Sequence, residues 1–267
     1  MLDLIEKIIW LILIISLVSF FSLGSVFAED RIETLSMEHR DTPTVCIMEP
    51  SPNIQDRFHS GIFNMTYESV NKWSSDMIDY TGGDWYMPIQ YHEYETHFDK
   101  TPEDFPGCNI FIEYRQYNGV DGKPHKSNTA LGYTAFNHSK SWHQYSYVMV
   151  FFEIPQENPK ISLCIGCDKD PTISVEVKHV ELPDLTINRV IMHEFGHALG
   201  IGHYIEDNNK SNNVESLMYP TLNPFSELSI DISEVDKEML VKLYYKDGFS
   251  GAYGISPYYF EVSELIP

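Results

Sequence analysis

Three histidines and a glutamate fall within HEFGHALGIGH, residues 193 to 203. On an α-helix, residues four apart differ by roughly 40° and sit one turn apart, so His193 and His197 project side by side and can reach one metal ion. His193, Glu194 and His197 fill an arc of about 100°, whereas Ile187, Ile191, Phe195, Ala198 and Leu199 fill another. The helix therefore has a metal face and a core face. Two imidazoles leave zinc short of a stable site, so a third ligand must come from outside the helix, and His203 is placed to supply it. Gly200 provides the turn: with no Cβ it can take positive φ, end the helix and bring the chain back. At this chain's residue frequencies HExxH arises by chance in about 3% of such sequences, and the added Gly and His lower that to ~10⁻⁴.

Three neutral imidazoles leave one coordination position for water, the pattern of a catalytic zinc ion. Zinc lowers the pKa of such a water to about 7 from ~15.7. Glu194 has no place in the ligand count but stands beside the metal, where it can take the water proton and pass it to a leaving amine. The metal itself stabilises the oxyanion, so no Ser or Cys nucleophile is required. This is the chemistry of peptide-bond hydrolysis, with one catalytic Zn2+ as cofactor and a protein or peptide as substrate.

The elements that must position these groups can be read on both sides of the motif. TVCIME reads as a first strand, and SGIFNMTYESVNKWSSDMIDYTGG as a helix whose Phe63, Tyr67, Val70, Trp73 and Met77 form an apolar face, with Gly82 and Gly83 as the stop. YMPIQYHEY and NIFIEYRQY read as strands separated by an acidic loop from Glu95 to Gly107. A second loop, NGVDGKPHKSN, leads to the short edge-like ALGYTAF. YSYVMVFFEI, the most apolar candidate, reads as a strand buried on both faces. From Pro155 to Pro183 lies an insertion with CIGC and a β-like TISVEVKHV. The active-site helix then begins at PDLTINRV with Asp184 as N-cap. Ser233 and Asp236 make a capping-box-like start for a last helix that buries Val235, Met239, Leu240 and Leu243.

The chain has 267 residues, 43% hydrophobic and 21% charged, enough for one sizeable core. Residues 1 to 28 stand apart. Ile8 to Ala28 is a run of 21 uncharged residues, and Val26 and Ala28 suit cleavage after Ala28, which favours a signal peptide. Asp3 and Glu6 weaken the n-region, and the run could also stay as a membrane anchor. Either reading places the remainder outside, secreted or anchored through residues 8 to 28, with no other membrane contact. Residues 29 to 42 read as a polar linker, 43 to 246 as one catalytic domain and 247 to 267 as a tail. Removing Asp3, Glu6 and Lys7 with the leader changes the net charge of −21 by one, to −20, and such a surface repels nucleic acid. Cys46, Cys108, Cys164 and Cys167 form an even set, read as two disulfides in an exported protein. Cys46 with Cys108 is the favoured pairing, since both open apolar runs that read as neighbouring strands, and CIGC would close locally.

The pattern His193, Glu194, His197, Gly200 and His203 resembles the extended zinc motif HExxHxxGxxH of the metzincin metalloproteases. Downstream, SLMYP at 216 to 220 resembles their Met-turn, with Met218 beneath the metal. Tyr219 directly after the methionine, followed by Pro220, and a last helix ending in KLYY are most similar to the matrixins. The resemblance implies an α+β domain of the α/β/α-like metzincin kind. This would have a five-stranded mixed twisted sheet with an antiparallel edge strand, two long helices packed on it, and a C-terminal subdomain with Met-turn and final helix. It further implies that substrate lies antiparallel along ALGYTAF, so Tyr133 joins Tyr219 and Pro220 as cleft residues. Departures are equally legible. TVCIMEP around Cys46 lacks the Arg, Gly and Asp of a PRCGxPD latency switch. His125, His138 and His143 lack the HxD pattern of a second zinc site and read as surface residues. Tyr204 replaces the Asp found after the third His in adamalysin-like members.

Other signals are weaker. DNNKSNN at 207 to 213 offers oxygens to Ca2+ but lacks the Gly and Glu of an EF-hand loop, and reads as a solvated loop. Asn64 and Asn137 open glycosylation patterns. The competing functional reading is a catalytically silent binding or cell-surface module of the same fold with structural zinc.

Overall fold

Alternation along VCIM and IFIEYRQY sends every second side chain to opposite faces of a sheet, and both faces are buried along VCIM and the first half of IFIEYRQY. The computed structural model describes residues 31–34, 39, 41–117, 119–120, 123–124, 130–137, 145–162, 172–205, 216–220 and 231–249. Residues 32–205 and 212–267 belong to one compact unit. A second unit, residues 1–31 with 206–211, falls almost wholly outside the described residues. The N-terminal leader, His125, His138, His143, DNNKSNN and the CIGC cysteines Cys164 and Cys167 also lie outside them. No helix among the described residues is long and apolar enough to cross a membrane.

The strands are β1 (Arg31–Thr34), β2 (Val45–Met48), β3 (Ile89–His92), β4 (Ile110–Tyr117), β5 (Gly119–Val120), β6 (Lys123–Pro124), β7 (Gly132–Asn137), β8 (Tyr145–Ser162), β9 (Thr172–Glu181) and β10 (Ile201–Ile205). The helices are α1 (Pro52–Arg57), α2 (Phe63–Thr81), the single turn α3 (Tyr94–His97), α4 (Asp184–Ala198) and α5 (Glu234–Tyr244). The main sheet runs β3-β2-β4-β8-β7. Its first four strands are parallel and β7 is antiparallel to β8, so the mixed sheet with one antiparallel edge is present. A sixth strand enlarges it. From Glu153 to Ser162, β8 pairs with β9, so most of the 155–183 insertion is a long antiparallel hairpin.

Val45, Ile47, Ile110, Ile112, Val148 and Val150 face a core shared with α2 and α4. Trp73 at the centre of α2 is fully buried, and its indole N–H donates to the Met192 carbonyl at 3.1 Å, tying the two long helices together. The helical segment begins earlier than the apolar spacing suggested, at Pro52, and passes through a π-helical turn, Phe58–Ile62, before α2. Tyr67 does not join the buried face. It is 48% exposed, because Thr66, Ser69, Val70, Trp73, Ser74 and Met77 form the inward stripe, and Thr66 and Ser69 satisfy their hydroxyls on Ile62 and Met65 carbonyls. Gly82 takes φ of 73° and ends the helix as expected. At α4 the cap is Pro183, not Asp184, which lies one position inside and pairs with Arg57 at 3.2 Å.

The opposite sheet face carries a smaller core of Cys46, Met48, Cys108, Phe111 and Tyr145. The Cys46–Cys108 disulfide is formed there, across 62 residues. Closing a loop of that length stabilises the fold by about 4 kcal/mol in the chain-entropy account. For a domain near 200 residues this is roughly 8–16 °C in Tm. Thermal unfolding of Cys46→Ala with Cys108→Ala should show that loss.

Candidate metal centre

Helical spacing brings His193 and His197 together: their ring centroids are 4.6 Å apart. Gly200 has φ of 99°, its N–H closes on the His197 carbonyl at 2.8 Å, and the chain reverses into β10. That reversal returns His203 to the same point, 4.7 Å from the His197 ring and 5.4 Å from the His193 ring. One nitrogen from each of the three imidazoles lies within 4.8 Å of the others. Two of the rings are buried and His203 faces solvent, so the cluster is open on one side.

The hydrogen bonds behind these rings fit a metal. His193 Nδ1 donates to the Leu217 carbonyl at 2.8 Å and His197 Nδ1 to the Ile201 carbonyl at 2.7 Å. With Nδ1 protonated, each ring presents a lone pair on Nε2, the form a metal needs. Burial pushes His193 down to about 3, helped by the neighbouring His197, and burial likewise lowers His197 to about 4. Burial pushes Glu194 the other way, up to about 7, against the opposing hydrogen bond from Thr134.

These shifts contribute to the pH response of the metal-free protein. Folded-state pKa values below 6.5 mean that unfolding takes up two protons as pH falls, while Glu194 holds one extra proton in the fold between about pH 4.5 and 7. The unfolded state thus binds a net one more proton between about pH 6.5 and 4.5. These three groups should together lower stability by about 1.4 kcal/mol per pH unit as pH falls through that window. Chemical denaturation of the metal-free protein across that range checks the slope.

Met218 is fully buried beneath α4. A Cβ on Gly196 would lie 2.6 Å from the Met218 sulfur and 3.2 Å from Trp73, so only glycine lets the methionine pack here. The same turn grips both parts of the ligand set, since Leu217 accepts from His193 and Met218 accepts from the Tyr204 N–H at 2.8 Å. Asp236 anchors it: fully buried, it caps α5 with Ser233 and also accepts from the Ser216 hydroxyl at 2.7 Å and the Leu217 N–H at 3.1 Å. The capping-box spacing exposed the first role but not the second. At the other end of α4, His39 Nε2 donates to the Ala198 carbonyl and the Tyr244 hydroxyl donates to that of Leu199, each at 3.0 Å. His39 lies in the segment that read as a patternless linker.

Above the metal face runs β7. Gly132 sits so close to α4 that a Cβ would meet Val190 at 2.7 Å and Glu194 at 3.0 Å. Two positions on, the Thr134 hydroxyl lies 2.7 Å from the Glu194 carbonyl and 2.9 Å from its carboxylate, sharing one proton between them. No sequence pattern marks Thr134, and the family resemblance points to Tyr133 as the cleft residue instead. Alternation puts Tyr133 on the other face, 40% exposed and 6.0 Å from the Phe151 ring. Of the other cleft candidates, Tyr219 packs on Tyr204 at 5.1 Å and Pro220 is exposed.

A buried HExxH helix, a third histidine returned by a glycine turn and a methionine turn beneath them define a zinc-peptidase-like α/β domain. The matrixin family model matches residues 86–245, and the chain belongs to the matrixin family of metalloproteases. The match begins after β2 and α2 and includes every residue of the metal centre. No curated protein matches the chain.

Proposed function

We propose that this chain is an exported zinc-dependent endopeptidase. The observation that carries the reading is a buried carboxylate, Glu194, beside an open histidine triad and under a strand whose outer edge is unpaired among the described residues. His193, His197 and His203 are the residues that would hold zinc, which when bound supplies Lewis acidity and an activated water. Glu194 accepts the water proton and returns it to the leaving amine. Its position is held by the Thr134 hydroxyl.

Substrate is oriented by β7. The Leu131 carbonyl accepts from the Phe151 N–H at 3.0 Å, so by alternation the backbone groups of Gly132, Thr134 and Phe136 face the free edge. An extended peptide adds there as an antiparallel strand, with internal residues on both sides of the scissile bond, which is why cleavage is internal rather than terminal. Tyr219 and Pro220 wall the pocket beyond that bond. Residues 1–28 act as the export signal or anchor, and the acidic remainder works outside the cell.

The test uses residues 29 to 267: elemental analysis for zinc, with digestion of a peptide library with and without a chelator. About one zinc per chain and internal, chelator-sensitive cuts support the endopeptidase. Bound zinc without cleavage moves the reading to a silent module. One variant probes positioning: Thr134→Val removes the donor that favours ionised Glu194, so the acidic limb of the kcat/KM profile should move to higher pH. Thr134→Ser should restore it.

A further inference from the structure

The Cys46–Cys108 bridge has a third partner. On the sheet face away from the histidine triad, His92 Nε2 lies 3.6 Å from the Cys108 sulfur. The two sulfurs and one imidazole nitrogen all lie within 4.8 Å of one another. Register explains the meeting: Met48 pairs with His92 on parallel neighbours, and Cys46, two residues back, shares their face. The His92 ring is fixed edge-on against Phe105 at 4.8 Å. Cys46 is fully buried, Cys108 nearly so, and His92 is half-buried.

We propose that Cys46, Cys108 and His92 form a reduction-gated site for a thiophilic divalent metal ion, closed while the disulfide exists and competent once it is reduced. A dithiol reductant gives two electrons and two protons to the S–S bond and becomes a cyclic disulfide. That bond breaks and two thiols form. Metal binding then expels both thiol protons, making two metal–thiolate bonds and one metal–imidazole bond, with water completing the tetrahedron. Two thiolates with an imidazole suit zinc-like and cadmium-like ions and not hard cations. Metal–sulfur bonds of about 2.3 Å in a tetrahedron put the sulfurs about 3.8 Å apart, a separation reached by side-chain rotation while the β2–β4 ladder stays paired. The consequence is mechanical: the 62-residue loop remains cross-linked in a reducing medium, through the ion instead of the bridge. The site is separate from the histidine triad, because Val45 and Ile47, on the other face of β2, join the core under α4.

The experiment takes the full chain with Cys164→Ser and Cys167→Ser, so that only the two proposed thiols remain. The protein is reduced with a dithiol, desalted without oxygen and titrated with Cd2+, following the thiolate-to-cadmium charge-transfer absorption, which a three-histidine site cannot give. With the histidine triad filled by zinc beforehand, the expected result is a band that saturates at one added Cd2+ per chain in the reduced protein and is absent from the oxidised one. Adding His92→Ala should weaken binding by at least about tenfold, since loss of outer partners alone costs 10–100-fold. A reduced protein that unfolds and regains its circular dichroism with Cd2+ supports the site equally. No band, a chain that stays unfolded with Cd2+, or unchanged affinity in His92→Ala overturns it.

Discussion

Glu194→Gln is expected to lower kcat/KM by on the order of 10²–10⁴-fold while the zinc content stays at one per chain. Glutamine fills the same space and its amide oxygen can still accept from Thr134, so the helix, the ligands and β7 keep their places. What disappears is the group that takes and returns a proton. Because the substrate contacts proposed for β7 do not involve that proton, KM should change little and the loss should sit in kcat. The same variant should be more stable in its metal-free form. Burial raises Glu194 to about 7 from 4.5, so above pH 7 the folded state bears the full cost of an ionised buried carboxylate that the unfolded chain does not. That cost is about 3 kcal/mol, and removing it should raise Tm at pH 8. A variant that is fully active, or one that loses zinc, sinks the assignment of Glu194 as the base.

The parts of the site legible in the sequence are those whose geometry is local. His193, Glu194, His197 and Gly200 are local: helical periodicity and one positive-φ turn determine their geometry, and the structure gives Gly200 the φ of 99° that the argument required. The Cys46–Cys108 pairing was also legible, because two apolar runs each opened by cysteine suggested adjacent strands, and β2 and β4 are neighbours. Thr134 was not, since alternation shows that Tyr133 and Thr134 face opposite ways but not which of them meets the helix. The decision is tertiary, made by Gly132 letting β7 approach Val190 and Glu194. Tyr67 failed for a related reason: its spacing fits the stripe, but two hydroxyl residues that satisfy themselves on the helix backbone took the inward positions. The β8–β9 hairpin was masked by Pro155 and Pro159, which argue against a long strand.

Asp236 is the residue whose removal should do most damage at a distance. Its carboxylate accepts from the Ser216 hydroxyl, the Leu217 N–H and the Ser233 N–H and hydroxyl, all within 3.1 Å, in a place with no solvent access. Asp236→Ala strands several donors together, each worth about 1–3 kcal/mol when left unpaired in the interior, so an overall loss of about 3–5 kcal/mol is expected. For this domain that is roughly 6–20 °C in Tm. The damage should also reach the metal. The Leu217 peptide donates its N–H to Asp236, and the Leu217 carbonyl holds His193 Nδ1, so a loosened turn frees the first ligand to rotate. Zinc affinity should fall by about 10–100-fold, the usual cost of losing support behind a ligand. Ser233→Ala separates the two roles, because it removes the helix cap alone, costs about 1 kcal/mol and leaves Ser216 and Leu217 bonded to Asp236. If zinc competition and thermal unfolding give the same values for both variants, Asp236 is a helix cap and nothing more. If only Asp236→Ala releases zinc, the final helix holds the metal centre together through the turn beneath it.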